Sequence, residues 1–519
     1  MTHARLPHRA LALGLALALA LALVAGAHAQ GDPTPGGTLV IGITTSPGHL
    51  NPAISTGSEV HTVADSIFNG LVSLDDQALP RPDLATAWTV NDDATVYTFT
   101  LAEGVRWHDG APFTSADVRF TFEQVLLRYH ARTRSGLEGR LAGIDTPDDR
   151  TVVFRFTEPY APLLQQLNVT EAPILPRHVY EGVADVTTAA ANLAPIGTGP
   201  FRFVAFDADE QVVLERNPDY FKEGLPYLDR LVFRIVPDAT TRLLALERGE
   251  LDFVSGVPAS EAERIAASPA LTSYAPNSGP GGGFCVMTMT FNLERELLAD
   301  RAVREALAHA IDRQQLLDQV LYGAGRVATG PIHSGLASFY TDDVAQYPFD
   351  PQLAARLLDE AGYPVGADGV RFTFDFLHFP AFAKYGEVLR QNLAAVGVGV
   401  ELVALDRAAF VTRVFTQRAF DTGVVSYCNN TDPAIGVARV YLSSNIGDIP
   451  FSNAGAYANP EVDRLFAEAA TLADPGERAE RYAAVQQVLT AELPYLWLVE
   501  TARLSASAAL VRGLEPWNG

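Results

Sequence analysis

Two cysteines, two lysines (Lys222 and Lys384) and three methionines are all that the 519 residues contain of those types. So few cysteines exclude a small scaffold built on disulfides. Neither lysine follows a glycine, which removes the phosphate-cradling G-x-x-x-x-G-K-[ST] loop. Basic charge is short: 38 Lys and Arg stand against 61 Asp and Glu, for a formal net charge of -23. A surplus of that sign repels phosphate, so no nucleic-acid partner is expected. Catalytic signatures are missing too. There is no H-E-x-x-H and no G-x-S-x-G, and the 11 histidines are scattered without metal-ligand spacing. The tract 277–283 (NSGPGGG) lacks the helix that a dinucleotide-binding turn must open, and reads as a linker. Past residue 27 no apolar run is long enough to cross a membrane. Apolar residues themselves are plentiful, at 48%, which excludes a disordered chain. The length exceeds the ~100–200 residues of a usual domain, so two or three domains or lobes are expected.

What is present begins with an address. Arg5 and Arg9 precede an uncharged stretch from Ala10 to Ala27, and Ala27-His28-Ala29 is a small-x-small cleavage pattern. Residues 1–29 read as a secretory signal peptide cleaved after Ala29. A membrane anchor is the rival, disfavoured by the Ala/Leu composition and the cleavage site. No cysteine lies near that site, so a lipid-anchored protein is not expected. The mature chain is expected in the periplasm, and is more acidic still, because the leader removes two arginines and no acid. In such an oxidising compartment Cys285 and Cys428 are either a disulfide or two buried thiols.

The chain changes texture near the Gly-rich tract. Before it, short alternating segments predict strands at 37–44, 95–102, 150–157, 211–217 and 229–236, with helices at 114–128 and 238–248. After it, Asp300 caps a helix predicted to run to about Tyr322, with Val303, Ala306, Leu307, Ala310 and Ile311 on one stripe. Asp350-Pro351 starts a helix that Gly362 stops, as the Pro-first, Gly-last asymmetry directs. Strand 371–377, helix 381–396, strand 398–404, helix 407–416 and strand 420–427 follow, a βαβαβ run that implies parallel strands. Asn459-Pro460 opens another helix, 476–491 forms one more, and the tail returns to a strand at Tyr495–Val499. The class is α/β, in two lobes, and a cleft between lobes is where ligands sit.

Residues 67–125 (IFNGLVSLDDQALPRPDLATAWTVNDDATVYTFTLAEGVRWHDGAPFTSADVRFTFEQV) are followed in order by PIGTGPFRF (195–203), LDRLVFRIVPDATTRLLALERGELD (228–252), MTFN (289–292), DRAVREALAHAIDRQQLL (300–317), DPQLAARLLDEAGYP (350–364) and YANPEVDRLFAEAA (457–470). Each motif alone is weak; the ordered set, over essentially the whole mature chain, resembles the peptide/nickel/opine class of ABC-transporter solute-binding proteins, family 5. The resemblance implies a bilobal periplasmic binding-protein fold of type II, cluster C-like, with an extra subdomain in lobe I and a two-crossover hinge. Lobe I would hold residues 30–284, with the subdomain at about 66–195, and the return at 498–519; lobe II would hold 285–497. The crossovers would lie near Cys285–Thr290 and Tyr495–Val499. The implied role is capture of a peptide-like or other small organic solute and delivery to an ABC permease at the inner membrane, by a monomer with no cofactor and no catalytic residue. The run around WHDG would be structural.

The resemblance also places a site. In relatives, a loop after the strand corresponding to 420–427 carries an Asp that clamps a peptide's ammonium, two residues after a disulfide-bonded Cys. Cys428 matches that Cys, with Cys285 as implied partner. The Asp position is Asn430 here, and Asp432 either substitutes for it or caps a turn before Pro433. Tyr427 and Asn429 flank it. The Arg that dipeptide-binding relatives use for the carboxylate is missing from FDFLHFPAF (374–382), which offers Phe376 and His378 instead. His378 as a metal ligand is the weaker of its two readings, packing the stronger. Thr44, Thr45 and Ser46 after the first strand, and Phe291 and Asn292 near the hinge, complete the candidates. An exported hydrolase or metalloenzyme, and an extracytoplasmic receptor or chaperone, are the rival functions.

Overall fold

The computed structural model describes residues 34–75, 79–274, 284–472, 474–502 and 504–514. The expected leader and the 277–283 tract lie outside these. Two sheets organise the rest. The first has seven strands in the order Leu271–Tyr274, Leu504–Ala508, Phe253–Val257, Thr38–Ile43, Arg230–Ile235, Gln211–Arg216, Phe201–Asp207. Thr38–Ile43 runs parallel to both its neighbours, and the outer strands are antiparallel. The second has six, in the order Gly325–Val327, Tyr495–Thr501, Cys285–Phe291, Thr422–Cys428, Phe372–His378, Val398–Ala404. Its last three strands are parallel, as the βαβαβ reading required, with helix Ala383–Ala394 as one crossover. Each sheet carries a large core of its own.

The subdomain is a four-stranded antiparallel sheet, Ala85–Val90, Val96–Leu101, Thr151–Phe156, Leu141–Asp148. Alternation in sequence becomes alternation in burial: Tyr97, Phe99 and Leu101, then Val152, Phe154 and Phe156, all point inward. Phe154 meets Phe99 and Phe122 edge-on, with centroids 5.7 and 5.0 Å away. The WHDG and PIGTGP motifs meet beneath it. The Gly197 N–H donates to His108 Nδ1 (3.2 Å), and the ring therefore donates from Nε2 to the Gly199 carbonyl (3.0 Å). Gly197 and Gly199 are glycine for a steric reason. A Cβ on either would lie 1.8 or 2.5 Å from the Ile67 carbonyl oxygen, inside any allowed contact.

Helix caps read from sequence are in place. Asp300 accepts from Ala302 N, Asp350 from Leu353 N, and Asn459 from Glu461 N. The helix expected to reach Tyr322 is two, Arg301–Ala310 and Arg313–Val320. Ile311 is extended between them, and Asp312 caps the second helix through Gln315 N. The apolar spacing runs on through Leu316 and Leu317, so periodicity does not register the break.

The chain passes between the sheets twice. Tyr495–Thr501 lies wholly in the second sheet, between Cys285–Phe291 and Gly325–Val327. The return to the first sheet is Leu504–Ala508, so the second crossing comes after Thr501 rather than within Tyr495–Val499. Likewise Cys285–Phe291 is a central strand of the second sheet along its full length.

Candidate functional site

The loop after strand Thr422–Cys428 is held from every side. Cys428 faces Cys285 across the antiparallel pair, and the two form a disulfide. Asn429 is buried. Its Oδ1 accepts from His333 N (2.6 Å) and its Nδ2 donates to the Pro331 carbonyl (3.2 Å). A Cβ on Gly436 would lie 2.0 Å from the Asn429 carbonyl oxygen, so glycine alone lets the next helical turn pack on this loop. Asp432 is spent structurally. Both carboxylate oxygens accept from Arg478 Nη2, at 2.8 and 2.6 Å, and Oδ1 caps Pro433–Gly436 through Ala434 N. Of its two sequence readings, the geometry is that of the cap. Asn430 is different: its backbone is left-handed (φ 52°), and its side chain points out of the lobe to donate to Glu171 Oε1.

Glu171 belongs to the first lobe's subdomain and is buried. Its other oxygen accepts from Arg132 Nε at 2.6 Å, and its carbonyl accepts from the Thr133 hydroxyl. Thr133 N also donates to Nδ1 of the fully buried His130 at 3.3 Å, the Thr133 hydroxyl lies 2.9 Å from the same nitrogen, and the Thr170 backbone is a further hydrogen-bond partner of the ring. Burial, ahead of the nearby Arg132, holds the His130 pKa well below the usual imidazole range. From the second lobe Arg439 enters the same place. It donates to the Phe451 carbonyl (2.9 Å), to the Gly436 carbonyl (3.2 Å) and across to Thr56 Oγ1 (3.3 Å), and lies over the Tyr427 ring. Further out, Arg407 pairs with Glu59 at 2.7 Å, Asn445 donates to Ser135 Oγ at 2.9 Å, and Ala161 N donates to the Ala470 carbonyl at 2.8 Å. The lobes therefore touch through a polar seam, with Glu171, Arg132, His130, Asn430 and Arg439 at its buried centre.

The residues expected at the site separate. Tyr427 and Asn430 lie at the seam, and Asn429 and Asp432 shape the loop that presents them. Phe291 and Phe376 are fully buried in the second lobe's core, Phe376 against Gly386 of the adjacent helix. Asn292 donates to the carbonyls of Arg418 (3.1 Å) and Phe420 (2.8 Å). His378 is buried against Phe376, with Nδ1 at 2.8 Å from the Phe379 carbonyl. Among the described residues no cluster of three or more His, Cys, Asp or Glu could hold a metal. Thr44 and Thr45 are exposed in the turn after the first strand, while Ser46 Oγ is buried without a hydrogen-bond partner.

Sequence reasoning missed Arg132, Glu171, His130 and Arg439. One signal was available for the last. Arg439 is the only charge in the apolar run PAIGVARVYL (433–442), and a lone cation in such a run has a buried task.

Comparison with known proteins bears on this geometry. The model of the bacterial extracellular solute-binding proteins, family 5, matches residues 80–448. A putative ABC transporter peptide-binding protein of Brucella ovis is 30% identical, over 91% of this chain and 89% of its own length. The glutathione-binding protein GsiB of Salmonella typhimurium is 28% identical, over 92% and 91%. Among solved structures, the periplasmic binding protein DppA of Helicobacter pylori, in complex with the peptide STSA, superposes with a TM-score of 0.85 at 24% identity, covering 94% of this chain and 96% of that one. The shared fold is thus a bilobal binding-protein fold.

Proposed function

The chain belongs to the family 5 bacterial extracellular solute-binding proteins, the solute-binding components of ABC importers, and we propose that it captures a peptide-like small organic solute at the seam between its lobes. The observation that carries the reading is the pair of contacts Asn430–Glu171 and Arg439–Thr56, buried polar groups from both lobes converging on one place. A solute there would touch both lobes, which is the condition for ligand to shift an open–closed balance. The loaded form would then present a single closed surface to a permease. The leader supports export and cleavage after Ala29, with the mature protein in the periplasm; an intact mass of the exported protein tests the cleavage point.

Thermal denaturation in the presence of di- and tripeptides, glutathione, opines and nickel chelates tests the capture. A true ligand at a hundred times its Kd stabilises by about 2.7 kcal/mol through linkage. A ligand-free preparation that none of these classes stabilises would argue against a peptide-like solute.

A further inference from the structure

A buried carboxylate at the hinge is spent on a loop. Glu500 is the last buried residue of strand Tyr495–Thr501, only 2% exposed, and the chain returns to the first sheet at Leu504. A carboxylate at the end of an apolar strand is costly unless it is well partnered. Among the described residues the nearest guanidinium, Arg326, stands 3.9 Å away, is half-exposed and lies over the Tyr340 ring. The close partners come instead from loop 331–335. Ser334 N donates to Glu500 Oε1 at 3.1 Å, and the Ser334 hydroxyl donates to Oε2. The same loop holds the seam turn. His333 N donates to Asn429 Oδ1 at 2.6 Å, and Asn429 Nδ2 donates to the Pro331 carbonyl at 3.2 Å. The other hinge strand reaches that residue too: Asn429 N donates to the carbonyl of Phe284, just ahead of Cys285, at 2.9 Å. Phe284 lies against the His333 ring, with centroids 5.3 Å apart, and a Cβ on Gly335 would strike it. Both strands by which the chain enters and leaves the second lobe are therefore fastened to the neighbour of Asn430, the first directly and the second through 331–335.

We infer that Glu500 is a positioning residue for capture: through Ser334, His333 and Asn429 it ties the second hinge strand to the turn that presents Asn430, so that lobe closure and the setting of that turn are one movement. This deepens the capture reading above and rests on it. Glu500 acts through these hydrogen-bonded links rather than by touching solute. Its charge matters to the link. An ionised carboxylate accepts from both Ser334 donors at once, and such bonds are about twice as strong as neutral ones. An amide there would keep one acceptor and turn an N–H toward the hydroxyl. With the link intact, a solute held at the seam also holds the hinge strand, which biases the open–closed balance toward closure.

Hydrogen exchange of the unliganded mature protein tests the tether. Glu500→Gln should speed exchange in loop 331–335 and, with it, in the turn 428–432, by about tenfold or more, while strand Phe372–His378 of the same sheet stays protected. Ser334→Ala should do the same, and Ser334→Thr, which keeps the hydroxyl, should not. Titration with the panel compound that stabilises the wild type most should show affinity falling about fivefold or more in Glu500→Gln and in Ser334→Ala. The two changes together should cost little more than either alone, since they cut one link. Val499→Ala, which removes buried apolar packing from the same strand, should lower the thermal midpoint without that loss of affinity. Faster exchange confined to 331–335 and 498–502, additive losses in the double variant, or an equal affinity loss in Val499→Ala would each overturn the inference and leave capture standing. A wild type that no panel compound stabilises would bring down the capture reading, and the inference with it. Should Glu500→Gln fail to fold, Ser334→Ala and Ser334→Thr carry both the exchange and the affinity measurements.

Discussion

His108 shows how a signature residue can be purely structural. Burial sets its pKa at about 4, although the hydrogen bond to the Gly199 carbonyl works in the opposite direction. The unfolded ring takes up a proton near pH 6.5, while the folded ring refuses it until about pH 4. A depressed folded pKa means that its stabilisation is complete above pH 6.5 and is lost as pH falls toward 4. Urea midpoints measured from pH 7 to 4 should therefore decline, and His108→Asn should flatten part of that decline while lowering the pH 7 midpoint. Asp432 makes a second residue-level case. Among the described residues its only cationic partner is Arg478, and both are buried. Arg478→Met strands the carboxylate and should cost about 3–5 kcal/mol in chemical denaturation, as breaking one side of a buried pair does. If the loss were near zero, Asp432 would not depend on Arg478.

At the scale of elements, strand Thr422–Cys428 and the turn that follows work as one unit. The disulfide ties its last residue to Cys285, and Asn429 and Asn430 come next. Reducing the bond should cost about 2–4 kcal/mol and should also raise the Kd for solute, because the freed strand end carries the seam residue Asn430. Free-thiol titration of the unfolded, unreduced protein checks the bond itself; two titratable thiols would remove this prediction. Gly436→Ala attacks the same unit by sterics. Backbone meets backbone there, so neither side can give, and the turn must move off the Asn429 carbonyl. Calorimetric titration should show affinity falling further than thermal stability predicts, since Arg439 rides on the displaced segment.

The lobes are joined by polar pairs and by apolar packing, with Ala434 and Ala470 of the second lobe in the first lobe's core. Arg407–Glu59 is the only ion pair that spans the lobes among the described residues, and the Arg407 side chain is 40% exposed. Pairs of that exposure contribute about 0–1 kcal/mol. Glu59→Gln should therefore shift the unliganded protein modestly toward the open form, visible as a larger radius of gyration in X-ray scattering, and should weaken solute binding less than about tenfold. A collapse of affinity by orders of magnitude would mean that Glu59 touches the solute itself. The seam centre, with Arg132 and Arg439 set against Glu171, is locally cationic inside an anionic molecule.

What the sequence determined by itself is what depends on near neighbours. Helix starts at Asp350-Pro351 and Asn459-Pro460 are fixed by a side chain reaching two or three residues along, and the alternation at Val96–Leu101 and Thr151–Phe156 is a property of the strand alone. The ordered motifs carry the family for the same reason, since they are strung along one chain. The break at Ile311 escaped because the apolar stripe continues across it. The seam was legible only in part. Tyr427 and Asn430 were named because they lie in or just after a recognisable strand, but Glu171 lies 259 residues from Asn430, and nothing in a sequence says which distant polar groups will meet. Asp432 read equally well as ligand clamp or cap until Arg478 was seen beside it, 46 residues away. Only the tertiary structure decided which charges pair with an opposite charge and which, like Arg439, are met by neutral oxygens and a ring, because burial and pairing are properties of lobes folded against each other.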